Sequence, residues 1–184
     1  MTTATALGPA VDIGAPVIDR ARRGDQEAFA AVIRHYDPGL KALAYRLLGD
    51  RDLMDDVLQE AYVKAFRALP RFRGDSRLGT WLYRIAYNAC LDELRRSRRT
   101  EELPLEAEVP SREDDPGDRV ASRGDLARAL AALPAEDRAA VLLVDAQGFD
   151  YRESARILGI PEGTVASRLN RARASLRTAL GSAA

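Results

Sequence analysis

Cysteine, histidine and tryptophan are almost missing from this chain: Cys90, His35 and Trp81 are the single examples of each in 184 residues. One cysteine excludes an internal disulfide framework, and one cysteine plus one histidine cannot supply the ligands of a structural zinc site within one chain. No metal and no cofactor is expected. A cryptic hydrolase using His35 or Cys90 would also need a partner base, nucleophile and orienting acid, a constellation the sequence lacks, so the chain is not expected to be an enzyme. An excess of charge of one sign is missing too, since Lys plus Arg and Asp plus Glu both number 28. That balance argues against a protein coated in basic residues, and any nucleic-acid surface must be local. Long apolar runs are absent, and Met1 to Pro16 has neither the basic start nor the apolar stretch of a secretion signal. The expectation is a cytoplasmic protein without membrane insertion, with residues 1–16 as a disordered lead-in.

What is present is helical periodicity. Residues 17–99 read as a helical series whose stops are Gly24, Gly49 and Leu69-Pro70, with Asp37-Pro38 placing a capping residue before a proline suited to a first helical turn. Between 100 and 118 the periodicity fails. Eight acidic residues gather there among Pro104, Pro110 and Pro116, with Arg112 the only basic one, as an acidic flexible linker. Residues 119–184 form a second helical domain, broken at Leu133-Pro134, Gly148 and Gly159. No alternating strand pattern, internal repeat or heptad run occurs. The fold class is all-α, two small helical domains joined by the linker.

The second domain carries a helix-turn-helix pattern. Asp150 with Glu153 three residues on makes a capping box, Gly159 tolerates the left-handed turn, and Pro161 starts the next helix. Ala155 is small where two helices cross, and Val165 packs the second helix back, which gives the motif's spacings of four and six. On a helical wheel Val165, Leu169, Ala172 and Leu176 form one apolar stripe. Ala166, Ser167, Asn170, Arg171 and Ala174 face away from it, small residues beside hydrogen-bonding tips, as entry into a major groove requires. Arg168 and Arg173 lie on the flanks, where a helix in the groove meets phosphates. An amphipathic helix with a solvated basic face is the plainer alternative, and response-regulator output domains and simple repressors carry similar motifs.

The first domain discriminates. A helix from Arg51 to Ala68 turns Leu53, Val57, Leu58, Ala61 and Ala65 inward and Asp52, Asp55, Asp56, Gln59 and Glu60 outward, a face that is either simply solvated or fit to meet a basic partner. The order Asp55-Asp56-Val57-Leu58-Gln59-Glu60-Ala61-Tyr62-Val63-Lys64-Ala65-Phe66 resembles the segment with which sigma factors grip the β′ clamp coiled coil of RNA polymerase. The following run, Phe72-Arg73-Gly74-Asp75-Ser76-Arg77-Leu78-Gly79-Thr80-Trp81-Leu82-Tyr83-Arg84-Ile85-Ala86-Tyr87-Asn88, resembles the family's −10 recognition loop and helix. Gly163-Thr164-Val165-Ala166-Ser167-Arg168-Leu169 and Arg171-Ala172-Arg173 resemble its −35-reading helix. From Asp19 to Leu180 the chain is similar to extracytoplasmic-function sigma factors, the minimal two-domain members of the sigma-70 family.

The resemblance implies an alternative sigma factor that binds core RNA polymerase, recognises and melts promoter DNA, answers stress and is controlled by an anti-sigma factor. It implies region 2 at 17–99, with Asp52, Asp55, Asp56, Gln59 and Glu60 on polymerase and Phe72, Arg73, Arg84, Asn88 and Arg95 on the −10 element. Region 4 falls at 119–184, with Thr164, Ala166, Ser167, Arg168, Asn170, Arg171 and Arg173 on the −35 element. Melting needs bases held outside the stack, for which Phe72 offers a ring and Asn88 both a donor and an acceptor. Each has a plainer reading: Phe72 and Trp81 as core plugs, and Arg95, Arg96, Arg98 and Arg99 as a basic helix end. The linker, in the family, threads the RNA-exit path, where an acidic chain mimics RNA. Cys90 reads as a small buried hydrophobe rather than a redox switch, and His35 as structural. The rival in another class is a stand-alone helix-turn-helix regulator that never touches polymerase.

Overall fold

The computed structural model describes residues 13–101 and 118–181, with side chains placed through residue 97 and from residue 124. The expected lead-in up to residue 12, the body of the acidic linker, and the side chains of Arg98 and Arg99 lie outside the described residues. Helix α1 spans Ala15–Arg22 and α2 spans Gln26–Leu48, opened by Asp25, whose carboxylate accepts from the Ala28 amide at 3.0 Å. That bond, with Arg20 beside it, holds the Asp25 carboxyl below its usual range. Gly49, in the left-handed region at φ 78°, closes α2, and Asp50 caps α3, Arg51–Ala68, through the Leu53 amide. A 3₁₀ turn, Leu69–Arg71, leads to α4, Leu78–Glu101, which runs two residues past the expected domain end.

One expectation is corrected. Asp37-Pro38 does not start a helix; α2 passes straight through Pro38. Val32, Tyr36, Leu40, Leu43 and Leu47 are all buried along α2, so the apolar stripe keeps its phase across the proline, and burial outweighs the one backbone bond that proline removes. Asp37 is not a cap. It accepts from the Tyr62 hydroxyl at 2.7 Å and pairs with Lys41 at 3.2 Å, tying α2 to α3.

The second half begins with α5, Asp118–Ala131, and α6, Ala135–Val141, which continues as a π-turn over Leu142–Ala146. Helix α7 spans Tyr151–Leu158 and α8 spans Glu162–Gly181. Asp150 and Glu153 form the expected capping box, and Gly159 ends α7 at φ 68°. No strand occurs among the described residues.

The two halves are packed on each other, which the sequence did not announce. One buried cluster runs from Ala21 to Val165, and α7 lies against α4. Phe149 meets the Tyr83 ring edge-on, with centroids 4.8 Å apart. The Tyr83 hydroxyl donates to Gln147 Oε1 at 2.9 Å, and Gln147 Nε2 reaches the Gly39 carbonyl at 3.4 Å. A side chain at position 39 would collide with the Tyr83 hydroxyl, so glycine there is what lets α4 come so close to α2. Arg138 clasps both halves: Nη1 donates to the Arg46 and Leu47 carbonyls at the end of α2, and Nη2 to Ala131 and Leu133 at the end of α5. Helix C-termini leave carbonyls unpaired, and a cation meets them favourably.

Candidate nucleic-acid interface

The acidic face of α3 follows from its helix register. Met54, Val57, Leu58, Ala61 and Ala65 are buried, so Asp52, Asp55, Asp56, Gln59 and Glu60 are all left exposed on the opposite side. The only partner of these carboxylates within α3 is Lys64, 3.9 Å from Glu60, a surface pair of little energetic weight. The face is free to meet a basic surface. Tyr62, on its border, has its hydroxyl pushed up by burial, by its bond to Asp37 and by the nearby Asp55 charge.

Helix α4 buries Leu82, Tyr83, Ala86, Tyr87, Ala89 and Cys90, which turns Arg84, Asn88 and Arg95 to solvent along one line. Arg95 pairs loosely with Asp92 at 3.6 Å, both side chains remaining mostly exposed. Arg73 is exposed on the loop before α4. Phe72 is half-buried and leans on Trp81, itself half-buried, with ring centroids 5.2 Å apart; together they form a shelf of two rings at the start of α4. Cys90 is fully buried, and burial pushes its thiol up to about 12, which leaves it neutral and unreactive at physiological pH.

On α8, Val165, Leu169 and Ala172 are buried and Leu176 half-buried, the expected stripe. Ser167, Asn170, Arg171 and Ala174 are exposed, whereas Thr164 and Ala166 are half-buried. Ser167 donates to the Thr164 carbonyl one turn back. The arginines have definite addresses that no sequence pattern revealed. Arg171 makes a two-point bond to Asp137 of α6, and Arg173 a two-point bond to Asp145 of the π-turn. Arg168 is half-buried and lies beside the Tyr87 hydroxyl on α4, so the proposed −35 flank and the proposed −10 helix touch. Arg84 lines an open cleft of about 610 Å³ together with Arg152, Arg156, Pro161 and Glu162. This places the start of α8 near the exposed line of α4.

Among the described residues no helix is long and apolar enough to cross a membrane, and no group of His, Cys, Asp or Glu could hold a metal ion.

Comparison with known proteins matches the family Sigma-70 region 2 at residues 32–100 and the family Sigma-70, region 4 at residues 123–176. The chain is 42% identical over 158 residues to the ECF RNA polymerase sigma factor SigM of Mycobacterium tuberculosis, covering 86% of this chain and 80% of the relative. It is 36% identical over 173 residues to the ECF RNA polymerase sigma-E factor of Escherichia coli, covering 87% and 90%. Its fold is similar to that of CnrH in complex with the cytosolic domain of CnrY, with a TM-score of 0.68 at 28% identity over 92% of this chain and 97% of that one. The sigma factor RpoE in complex with the anti-sigma factor NepR from Bartonella quintana gives a TM-score of 0.68 at 29% identity, covering 83% and 96%.

Proposed function

The chain belongs to the extracytoplasmic-function branch of the sigma-70 family, and from that premise we propose which of its surfaces performs each step of initiation. It is an alternative sigma factor, an initiation factor that borrows the catalysis of core polymerase. The reading assigns residues 17–99 to region 2 and 119–184 to region 4. On α3, Asp52, Asp55, Asp56, Gln59 and Glu60 dock on the basic clamp of the polymerase. Phe72, Arg73, Arg84, Asn88 and Arg95 engage the opened −10 region, and Thr164, Ala166, Ser167, Arg168, Asn170, Arg171 and Arg173 engage the −35 duplex. The factor works in the cytoplasm, where its polymerase does, without catalysis, metal or cofactor of its own. An anti-sigma factor controls it, a reading supported by the Bartonella quintana sigma factor RpoE having been solved in complex with the anti-sigma factor NepR.

The observation that carries the docking assignment is the exposure of all five of these α3 residues above an apolar inner side. The experiment replaces Asp56 and Glu60 by Lys. Neither side chain touches the core, so the fold survives while two charges reverse, and capture of core polymerase should fall at least tenfold, a change of about 1.4 kcal/mol or more. A folded double variant that captures polymerase like the parent removes the assignment.

The packed arrangement of the two halves and simultaneous reading of both elements exclude each other. The elements lie about 25 base pairs apart, on the order of 85 Å along duplex DNA at about 3.4 Å per base pair. Arg84 of α4 and Glu162 of α8 line one cleft here. The described state is therefore one the chain leaves in order to bind a promoter, and leaving it costs the Arg138, Gln147 and Phe149 contacts.

A further inference from the structure

The two arginine pairs on α8 share one geometry. Arg171 donates from Nε to Asp137 Oδ2 at 3.2 Å and from Nη2 to Asp137 Oδ1 at 2.9 Å. Arg173 donates from Nε to Asp145 Oδ2 at 3.1 Å and from Nη2 to Asp145 Oδ1 at 2.6 Å. Each carboxylate therefore takes the side edge of a guanidinium; on Arg171 the end edge, Nη1 with the second Nη2 hydrogen, is left unspent, whereas Arg173 also lies beside the Tyr151 hydroxyl. A guanidinium carries five donors, so three remain. For Arg171 those three have no further partner among the described residues, and its side chain is 61% exposed although the carboxylate beneath it is only 11% exposed. The anchor is buried and the free edge is open.

The carboxylates are set where this can happen. Asp137 stands in the first turn of α6, and Asp145 eight residues later in the π-turn. Both carboxylates meet α8, Asp137 at Arg171 and Asp145 at Arg173, so α8 packs against this segment with an acidic partner for each arginine. The i→i+5 spacing of the π-turn rotates each residue less than an α-turn does, which keeps Asp145 on the side of α6 that carries Asp137. Val165, Leu169 and Ala172, all buried completely, form the floor between them.

We propose that Asp137 is a positioning residue for promoter recognition: by binding the Nε/Nη2 edge of Arg171 it presents the Nη1/Nη2 edge, pre-aligned, to the O6 and N7 of a guanine in the −35 duplex. This rests on the reading of Arg171 as a base contact. A free arginine would lose several rotamers on meeting the base; one already locked by a carboxylate loses few, so the gain falls on discrimination between bases. Asp145 gives Arg173 the same support on the other flank, toward phosphate.

The test uses the full chain with core polymerase, on promoters carrying every −35 single substitution and one scrambled −35 sequence. Arg171→Ala should relax preference at one position, and Asp137→Asn should relax the same position by about three- to tenfold. Asp137→Asn also removes a negative charge near DNA, so activity on the scrambled sequence should hold or rise; a merely structural role would lower it along with everything else. Relaxation in Arg171→Ala but not in a folded Asp137→Asn overturns the positioning role and leaves Arg171 as reader. No relaxation in Arg171→Ala overturns both. If Asp137→Asn fails to fold, Arg171→Lys decides: lysine keeps an ion pair to Asp137 but has no second planar edge, and preference equal to the parent's overturns the proposal.

Discussion

Gln147 is the residue whose removal acts on the contact between the halves and on little else, because both of its side-chain bonds cross that contact. Gln147→Ala removes one short bond and one long one, a net contribution of about 0.5–1.5 kcal/mol for the first and less for the second. It also strands the Tyr83 hydroxyl, 3% exposed, without its acceptor in the packed form, whereas separation returns that hydroxyl to water. Adding part of the roughly 1–3 kcal/mol cost of an unsatisfied buried donor, the packed form should lose about 1.5–3 kcal/mol against the separated one, roughly 10- to 150-fold. Dyes on cysteines introduced at Lys64 and Ser175, both exposed, report the separation by energy transfer, and the buried native Cys90 stays unlabelled. In a urea series below global unfolding, the step in transfer should move to lower urea in Gln147→Ala, less in Tyr83→Phe, and the double variant should fall short of the sum. Affinity for an isolated clamp coiled coil should not change, since the α3 face is open in either form, whereas engagement of a promoter with both elements should improve until the separated form dominates. Identical transfer curves for all four proteins would refute the idea that these bonds hold the halves together.

Asn88→Ala should leave polymerase capture intact but slow open-complex formation, with partial rescue on templates pre-opened across the −10 region; normal permanganate reactivity of the melted bases would return Asn88 to the scaffold. Burial raises the Cys90 thiol and the Tyr62, Tyr83 and Tyr87 hydroxyls, so the folded state favours their neutral forms. Their contribution to stability is whole below the ordinary values of 9.0 and 10.0 and is lost as pH climbs above them, so the urea midpoint should hold from pH 7 to about 8.5 and then fall, and a midpoint that rises between pH 9 and 11 would contradict this.

Much of the fold was legible because its punctuation is local. The Asp150–Glu153 box, the left-handed Gly49 and Gly159 and the Leu69-Pro70 stop each depend on a few neighbouring residues, and each appears in the structure where the sequence puts it. Pro38 misled for the opposite reason. A proline preference acts on one backbone bond, while the Val32–Leu47 stripe sums several buried side chains, and the larger quantity decided. The Asp37 partner that supports the intact helix lies 25 residues away, at Tyr62, beyond any local pattern.

The exposed faces of α3, α4 and α8 were legible too, since burial of one stripe dictates the other. The destinations of the arginines were not, because they depend on a crossing of two helices and on a π-turn that no residue pattern announces. Those destinations bear on how a chain with equal numbers of acidic and basic residues carries the DNA-binding face proposed for it. Arg152, Arg171 and Arg173 of the second half each face a carboxylate of the same chain, Glu162, Asp137 and Asp145. A paired arginine releases fewer counterions on meeting phosphate, so the free chain should bind duplex weakly and with a shallow salt dependence, which a salt titration of duplex binding checks. Held on polymerase, the same face works at a high effective concentration over the promoter, where weak binding suffices and discrimination between bases is what remains to be supplied. An arginine aligned by a carboxylate gives up some attraction to any DNA in exchange for preference among sequences, which suits a subunit that is delivered to the promoter by its partner.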